Sequence, residues 1–213
     1  VNESAAYAKS VTDLSALEKS TATALLAIDD QITEQNAKSV SVQTQIDALI
    51  KENADIALKI QEQTDLIPVA QKEVVELTAK IAAVTKQIDD FTVILNDSKA
   101  KLATLRADTV NAAKNATTIT KLATAISQLT TSITSLKSSN SSTKIQMQSV
   151  NGSISKYNSS ILQLRSTTSK NLASIENSKK IGSTITTLNK TKELTASQLQ
   201  QAKDALAQTK SSR

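Results

Sequence analysis

Apolar residues recur along this chain at alternating spacings of three and four residues, beginning at Val11. One frame runs through Leu25, Ile28, Ile32, Val42, Ile46, Leu49, Ile56, Ile60, Ile67, Val74, Leu77, Ile81, Val84, Ile88, Phe91, Leu95, Leu102 and Leu105. A second frame runs through Ile119, Leu122, Ile126, Leu129, Ile133, Leu136, Met147, Val150, Ile154, Tyr157, Ile161 and Leu164. This stripe, called the seam below, is buried only when another helix packs against it. The pattern predicts an all-α protein, either an elongated coiled coil or a long antiparallel helical bundle.

Composition agrees with long helices and few turns. The 213 residues include two Gly, one Pro, no Trp and no Cys, and three aromatic residues. Globular domains of this size use many Gly and Pro residues in turns and bulky aromatic residues in the core. The apolar content of 39% is too periodic for a disordered chain. We therefore expect residues 1–213 to form a single elongated helical unit.

Two places in the sequence could interrupt the helix. Pro68 is the only proline, and residues 138–142 are five small polar residues in a row. These places divide the chain into possible arms 1–67, 69–137 and 143–213, which would suit an antiparallel bundle. However, the seam keeps its phase through both places, which favours one long helix kinked at Pro68. Both alternatives stay open, and smaller irregularities are expected near residues 112–119, where the frame shifts, near residues 168–172, and at residues 181–182.

Several positions of the seam are polar, namely Gln35, Ser39, Asn53, Gln63 and Asn140. A polar residue in a seam lowers stability and selects the register or the number of helices. Asn53 lies between the apolar positions Leu49 and Ile56, so we predict that it fixes register. On the seam alone, replacing Asn53 by Ile is expected to raise thermal stability and to loosen register.

Charge is distributed unevenly between the two halves of the chain. Residues 1–100 carry a net charge of −7 and residues 101–213 a net charge of +12, with no acidic residue between Asp108 and Glu176. The lysines are compatible with a simple solvated face. Alternatively, the acidic half lies against the basic half, within one chain or between neighbours. Polyanion binding is a third interpretation, but the diffuse charge and single aromatic residue of the basic half argue against nucleic acid.

The residues needed for catalysis are missing from the sequence. It has no His for general acid–base chemistry, no Cys, and only two isolated glycines, so a Gly-rich phosphate loop is absent. We therefore expect no enzyme activity, no cofactor and no metal site. No stretch approaches the roughly 18 apolar residues of a membrane span.

Asn-X-Ser/Thr sequons indicate a secretory route. They occur at Asn2, Asn96, Asn115, Asn140, Asn151, Asn158 and Asn189. About half of these would arise by chance in a sequence so rich in Ser and Thr, and Asn140 is the best-placed candidate for glycosylation. The chain starts at Val1 rather than at Met, from which we expect a processed or a trimmed chain.

The segment Val75–Ile88, with the sequence VELTAKIAAVTKQI, resembles the LTxxIAxLTxxI phrases of ciliate trichocyst matrix proteins, and Thr117–Ile133 has a looser similarity. The resemblance implies secretory-granule cargo that is cut from a precursor and forms a crystalline helical lattice. That family tends to be acidic and responds to calcium, whereas this chain is basic overall.

The sequence as a whole predicts a structural coiled-coil protein that assembles with itself, or with related coiled-coil subunits, into a filament, lattice or stalk. The matrix of a secretory granule is one such setting, and the expected location is extracellular or in that granule. The alternative is a helical binding module or surface adhesin whose basic C-terminal half docks an acidic partner. An ordered polymer formed by the purified chain favours the first interpretation, and a stable monomer favours the second.

Overall fold

The protein consists of two long helices joined by a short connection. The computed structural model describes residues 2–212, although for Asn2 only the backbone; the predicted processing at Val1 falls outside this range. Helix α1 spans Asn2–Ala107, helix α2 spans Ala112–Ser211, and residues 108–111 connect them. No strand occurs within residues 2–212. The prediction of an all-α fold is confirmed.

Helix α1 continues through Pro68 without interruption. Proline lacks the N–H group that would bond to the carbonyl of Thr64, and this costs about 3 kcal/mol in a helix interior. Pro68 and Thr64 are both exposed, whereas the neighbouring Ile67 is half-buried on the seam. Water can therefore reach the freed carbonyl, and packing of the seam keeps the helix intact on both sides. The predicted helix end at Pro68 is not present.

Helix α2 likewise continues through residues 138–142. The Ser141 hydroxyl donates to the Lys137 carbonyl at 3.0 Å, and the Ser142 hydroxyl donates to the Ser138 carbonyl at 3.2 Å. The serine side chains thus bond back to the helix instead of breaking it. The chain forms two helices rather than three arms.

The reversal of the chain at residues 108–111 is held by polar side chains. The Asp108 carboxylate accepts hydrogen bonds from the backbone N–H of Asn111 at 3.2 Å and from its side-chain amide at 2.9 Å. The same carboxylate accepts from the Asn115 amide at 3.4 Å. These bonds lower the pKa of Asp108, the Asn111 side chain contributing most. No residue of the described range has a positive φ, so this turn forms without glycine.

Burial along the helices follows the predicted frame. In α1, every position of the frame from Val11 to Leu105 is buried or half-buried, and almost all positions between them are exposed. In α2, the same spacing holds from Asn115 to Ser178. The next half-buried residue after Ser178 is Ile181, three residues on, followed by Ile185. This consecutive pair of three-residue steps lies where the sequence frame was expected to be irregular.

The helices divide into two compact units, each containing a segment of both helices. Unit 2 is Leu58–Leu164, and unit 1 comprises the segment up to Ala57 and the segment from Arg165. In each unit, residues further along α2 contact residues earlier in α1, so the two segments run in opposite directions. The buried apolar residues of unit 2 are Leu77, Leu95, Leu102, Ile133 and Ile161. Those of unit 1 are Ile46, Ile56, Ile175, Ala202 and Leu206.

Candidate functional site

Asn53 meets an amide of the other helix within unit 1. The side-chain nitrogen of Asn171 donates to Asn53 Oδ1 at 3.0 Å, and both residues are half-buried. Flanking seam residues Ile56 and Ile175 are only 5% and 7% exposed, so this amide pair lies between apolar layers. A shift of one helix by one turn would separate the two amides and leave both unpaired. The pair therefore has the geometry of a register device.

Asn140 occupies a second polar layer, in unit 2. Its side chain is buried, and its amide nitrogen donates to the Thr85 hydroxyl oxygen at 3.1 Å. The Thr85 hydroxyl in turn donates to the Ile81 carbonyl at 2.7 Å. Asn140 Oδ1 is buried without a hydrogen-bond partner among the described residues. Leaving a buried acceptor unpaired costs free energy of folding, so the bond to Thr85 offsets only part of the cost of burying the Asn140 amide.

The other polar residues of the seam are less buried than Asn140. Gln35, Ser39 and Gln63 are all half-buried. Gln63 Oε1 is buried without a partner in the part of the chain that the structure describes. These residues lie on the seam as the spacing predicted, but within residues 2–212 none of them forms a hydrogen bond to the other helix.

The predicted glycosylation sites fall into three environments. Asn96, Asn151, Asn158 and Asn189 are exposed, whereas Asn115 is half-buried and bonded to Asp108. Asn140 is buried in the seam, so the folded chain has no room for a glycan there. The choice of Asn140 as the best-placed candidate rested on a helix break at residues 138–142, and that segment is helical. The side chain of Asn2 lies outside the described range.

Ion pairs among the described residues lie mostly within single helices. Four of them join residues four apart, as in Lys86–Asp90 at 2.6 Å, where the hydrogen bond to Asp90 raises the pKa of Lys86. One pair joins the helices, between Lys192 Nζ and Asp29 Oδ1 at 2.7 Å. In unit 2 the Gln146 amide donates to the Glu73 carboxylate at 3.2 Å. Most charges of both helices therefore face solvent.

The open grooves along the contact between the helices include one in each unit. The groove in unit 2 has a volume of about 430 Å³ and is lined by Gln87, Phe91, Thr131, Ser132, Ser135 and Leu136. The groove in unit 1 has a volume of about 440 Å³ and is lined by Leu14, Leu17, Thr21, Gln198, Gln201, Ala202 and Ala205.

The described residues contain neither a cluster suited to a metal ion nor a helix suited to a membrane. No group of three or more Asp or Glu residues is arranged to hold a metal ion within residues 2–212. Among the helices described, none has an apolar stretch long enough to cross a membrane.

Sequence reasoning missed three residues that matter in this structure. Asn171 was missed because the second frame was followed only to Leu164 and an irregularity was expected near residues 168–172, but the spacing continues there and places Asn171 on the seam seven residues after Leu164. Thr85 lies beside the seam, where spacing gives no signal. Asp108 precedes Asn111 by three residues, a pattern typical of a capped turn.

The chain matches no known protein-family model, and no curated protein matches it either.

Proposed function

We propose that the two helices form an antiparallel two-stranded coiled coil, and that the protein is a structural subunit that assembles into a filament, lattice or stalk. The observation that carries the proposal is the uninterrupted seam from Val11 to Leu105, about fourteen repeats of seven residues. In heptad notation, Asn53 is at an a position of α1 and Asn171 is at a d position of α2, and their pairing suits an antiparallel coiled coil. The contact of Glu73 with Gln146, each next to a seam residue, suits the same geometry. A catalytic role has no comparable support.

The surface left exposed by the chain supports assembly. The accessible surface is 14,630 Å². A compact folded chain of 22.7 kDa is expected to expose roughly 9,500 Å². Among the described residues, no large side chain is fully buried, and fifteen large apolar residues, including Leu26, Leu58 and Leu162, are exposed. Much of this surface would become buried in a polymer of subunits.

An extracellular or secretory-granule location is part of the same proposal. It rests on the four exposed sequons and on the resemblance of Val75–Ile88 to trichocyst matrix proteins, whose function is to build such a lattice. Related coiled-coil subunits would then be partners besides further copies of this chain. Mobility shifts after enzymatic deglycosylation of the natural material would test the location.

Sedimentation velocity and electron microscopy of the purified full chain test the assembly. We expect species well above the 22.7 kDa of one chain, with an ordered filament or lattice in the images. A single species of 22.7 kDa at all concentrations would contradict the proposal. That result would favour the binding module instead, because the lysines of residues 112–164 have no acidic residue among them.

A further inference from the structure

The two units differ in how their charges are balanced. In unit 1, the α1 segment 1–57 carries nine carboxylates and four lysines, a net charge of −5. Its α2 partner segment 165–213 carries nine basic and three acidic residues, a net charge of +6. Unit 1 therefore has a net charge of only +1.

Unit 2 has no such balance. Its α1 segment 58–107 carries seven acidic and seven basic residues, so its net charge is zero. The α2 segment 112–164, here called the basic segment, carries a net charge of +5 and no acidic residue. Its cations are Lys114, Lys121, Lys137, Lys144 and Lys156. All five are exposed, and none forms an ion pair within residues 2–212.

Unpaired carboxylates are available on α1 of unit 1. We call residues 3–57 the acidic segment. Asp30, Glu52 and Asp55 are exposed and have no ion pair among the described residues. They lie off the seam, so a neighbouring molecule can reach them while the seam stays closed. The acidic and basic segments are similar in length, at about fifty residues each.

We propose that the basic segment of one copy packs against the acidic segment of a second copy, an inference that rests on the proposed self-assembly. The unpaired lysines of the basic segment attract the exposed carboxylates of the acidic segment that have no ion pair, and this attraction steers the approach of the two copies. Contact between two basic segments, or between two acidic ones, would place like charges face to face, which disfavours a symmetric contact through either segment. The contact is therefore heterologous, and it leaves a second pair of segments free to extend the assembly.

Charge-reversal variants test this contact. Lys121→Glu, Lys137→Glu and Lys156→Glu together change the basic segment from +5 to −1. Asp30→Lys, Glu52→Lys and Asp55→Lys together change the acidic segment from −5 to +1. Each triple variant is expected to raise the concentration needed for assembly by about ten-fold or more. An equimolar mixture is expected to form one-to-one pairs, because the intact acidic segment of one variant meets the intact basic segment of the other, but not to extend as the wild type does, because the second contact would join two altered segments.

The matched control is Lys170→Glu, Lys190→Glu and Lys203→Glu, which changes the net charge equally but lies in unit 1. This control is expected to assemble, and helical content and melting temperature are measured for every variant. If the wild type assembles and the basic-segment variant, folded, assembles equally well, the contact is overturned while the proposed function stands. If both triple variants fail to assemble and their mixture forms no one-to-one pairs, a second copy is not the partner. A wild type that stays monomeric overturns both.

Discussion

Asn53 and Asn171 show how a single seam layer reverses an expectation drawn from spacing. Because the Asn171 amide donates to Asn53, replacing Asn53 by Ile leaves that donor unpaired in the seam. We expect Asn53→Ile to lower the free energy of unfolding by about 1–2 kcal/mol. The double variant Asn53→Ile with Asn171→Ile is expected to be at least as stable as the wild type, because both polar groups are removed together. Urea unfolding of the single variants Asn53→Ile and Asn171→Ile and of the double variant gives the coupling energy between the two side chains.

Ser39→Val provides the control for this cycle. Ser39 occupies an equivalent, half-buried seam position without a hydrogen bond across the helices. Its replacement is expected to leave stability unchanged or to raise it. An Asn53→Ile variant more stable than the wild type would mean that the amide pair does not form in solution.

Asp108 makes the turn sensitive to pH. Its pKa is lowered by the hydrogen bonds that its carboxylate accepts, chiefly from Asn111. A lowered folded-state pKa means that the stabilisation is fully present above the ordinary Asp pKa of about 3.9 and is lost as pH falls through the lowered folded-state pKa. We expect Asp108→Ala to lower the melting temperature at pH 7 and to make little difference at pH 2. Asp97→Ala, which removes an exposed carboxylate of α1, should have little effect at either pH.

At the scale of a whole helix, stability depends on the backbone hydrogen bonds, and in α1 this dependence can be measured at Pro68. Replacing Pro68 by Ala supplies the missing N–H group to the Thr64 carbonyl within an already continuous helix. We expect a gain in the free energy of unfolding of about 1–3 kcal/mol, reduced somewhat by the greater freedom of the unfolded chain. Chemical unfolding followed by circular dichroism measures it. Val69→Ala, at an exposed neighbouring position, should change stability by less than about 0.5 kcal/mol.

The helices themselves were predictable from spacing, because each seam residue is selected by the same local geometry. The ends of the helices were not predictable, because the tendency of proline and serine to break a helix competes with packing against the other helix. The sequence alone does not show that packing. Pro68 is tolerated since it faces outward, and residues 138–142 stay helical since Asn140 is buried against Thr85. The reversal occurs instead near the frame shift at residues 112–119, where Asp108 and Asn111 supply the cap. The partner of Asn53 could not be inferred, because alignment between two segments 118 residues apart depends on the turn between them.

At the scale of the whole molecule, the unequal charges predict that assembly weakens as salt is added. The basic and acidic segments attract through exposed side chains, whose interactions are screened beyond about 8 Å at 0.15 M salt. Each exposed pair contributes only about 0–1 kcal/mol, so many pairs must act together. Light scattering across a series of ionic strengths is expected to show smaller particles as salt increases. Particles that stay the same size would assign assembly to apolar contacts instead.

The distance along the chain between paired residues also sets the order in which the protein folds. Asp108 and Asn115 are seven residues apart, Thr85 and Asn140 are 55 apart, and Asn53 and Asn171 are 118 apart. Closing a longer loop costs more conformational entropy, so contacts should form first at the turn and then spread outwards. The order in which the ribosome makes the residues differs from this folding order. The acidic segment is made before the segment with which it pairs, from Arg165 onward. Its apolar stripe therefore stays unpaired while the intervening residues are synthesised, when a neighbouring nascent chain can capture it.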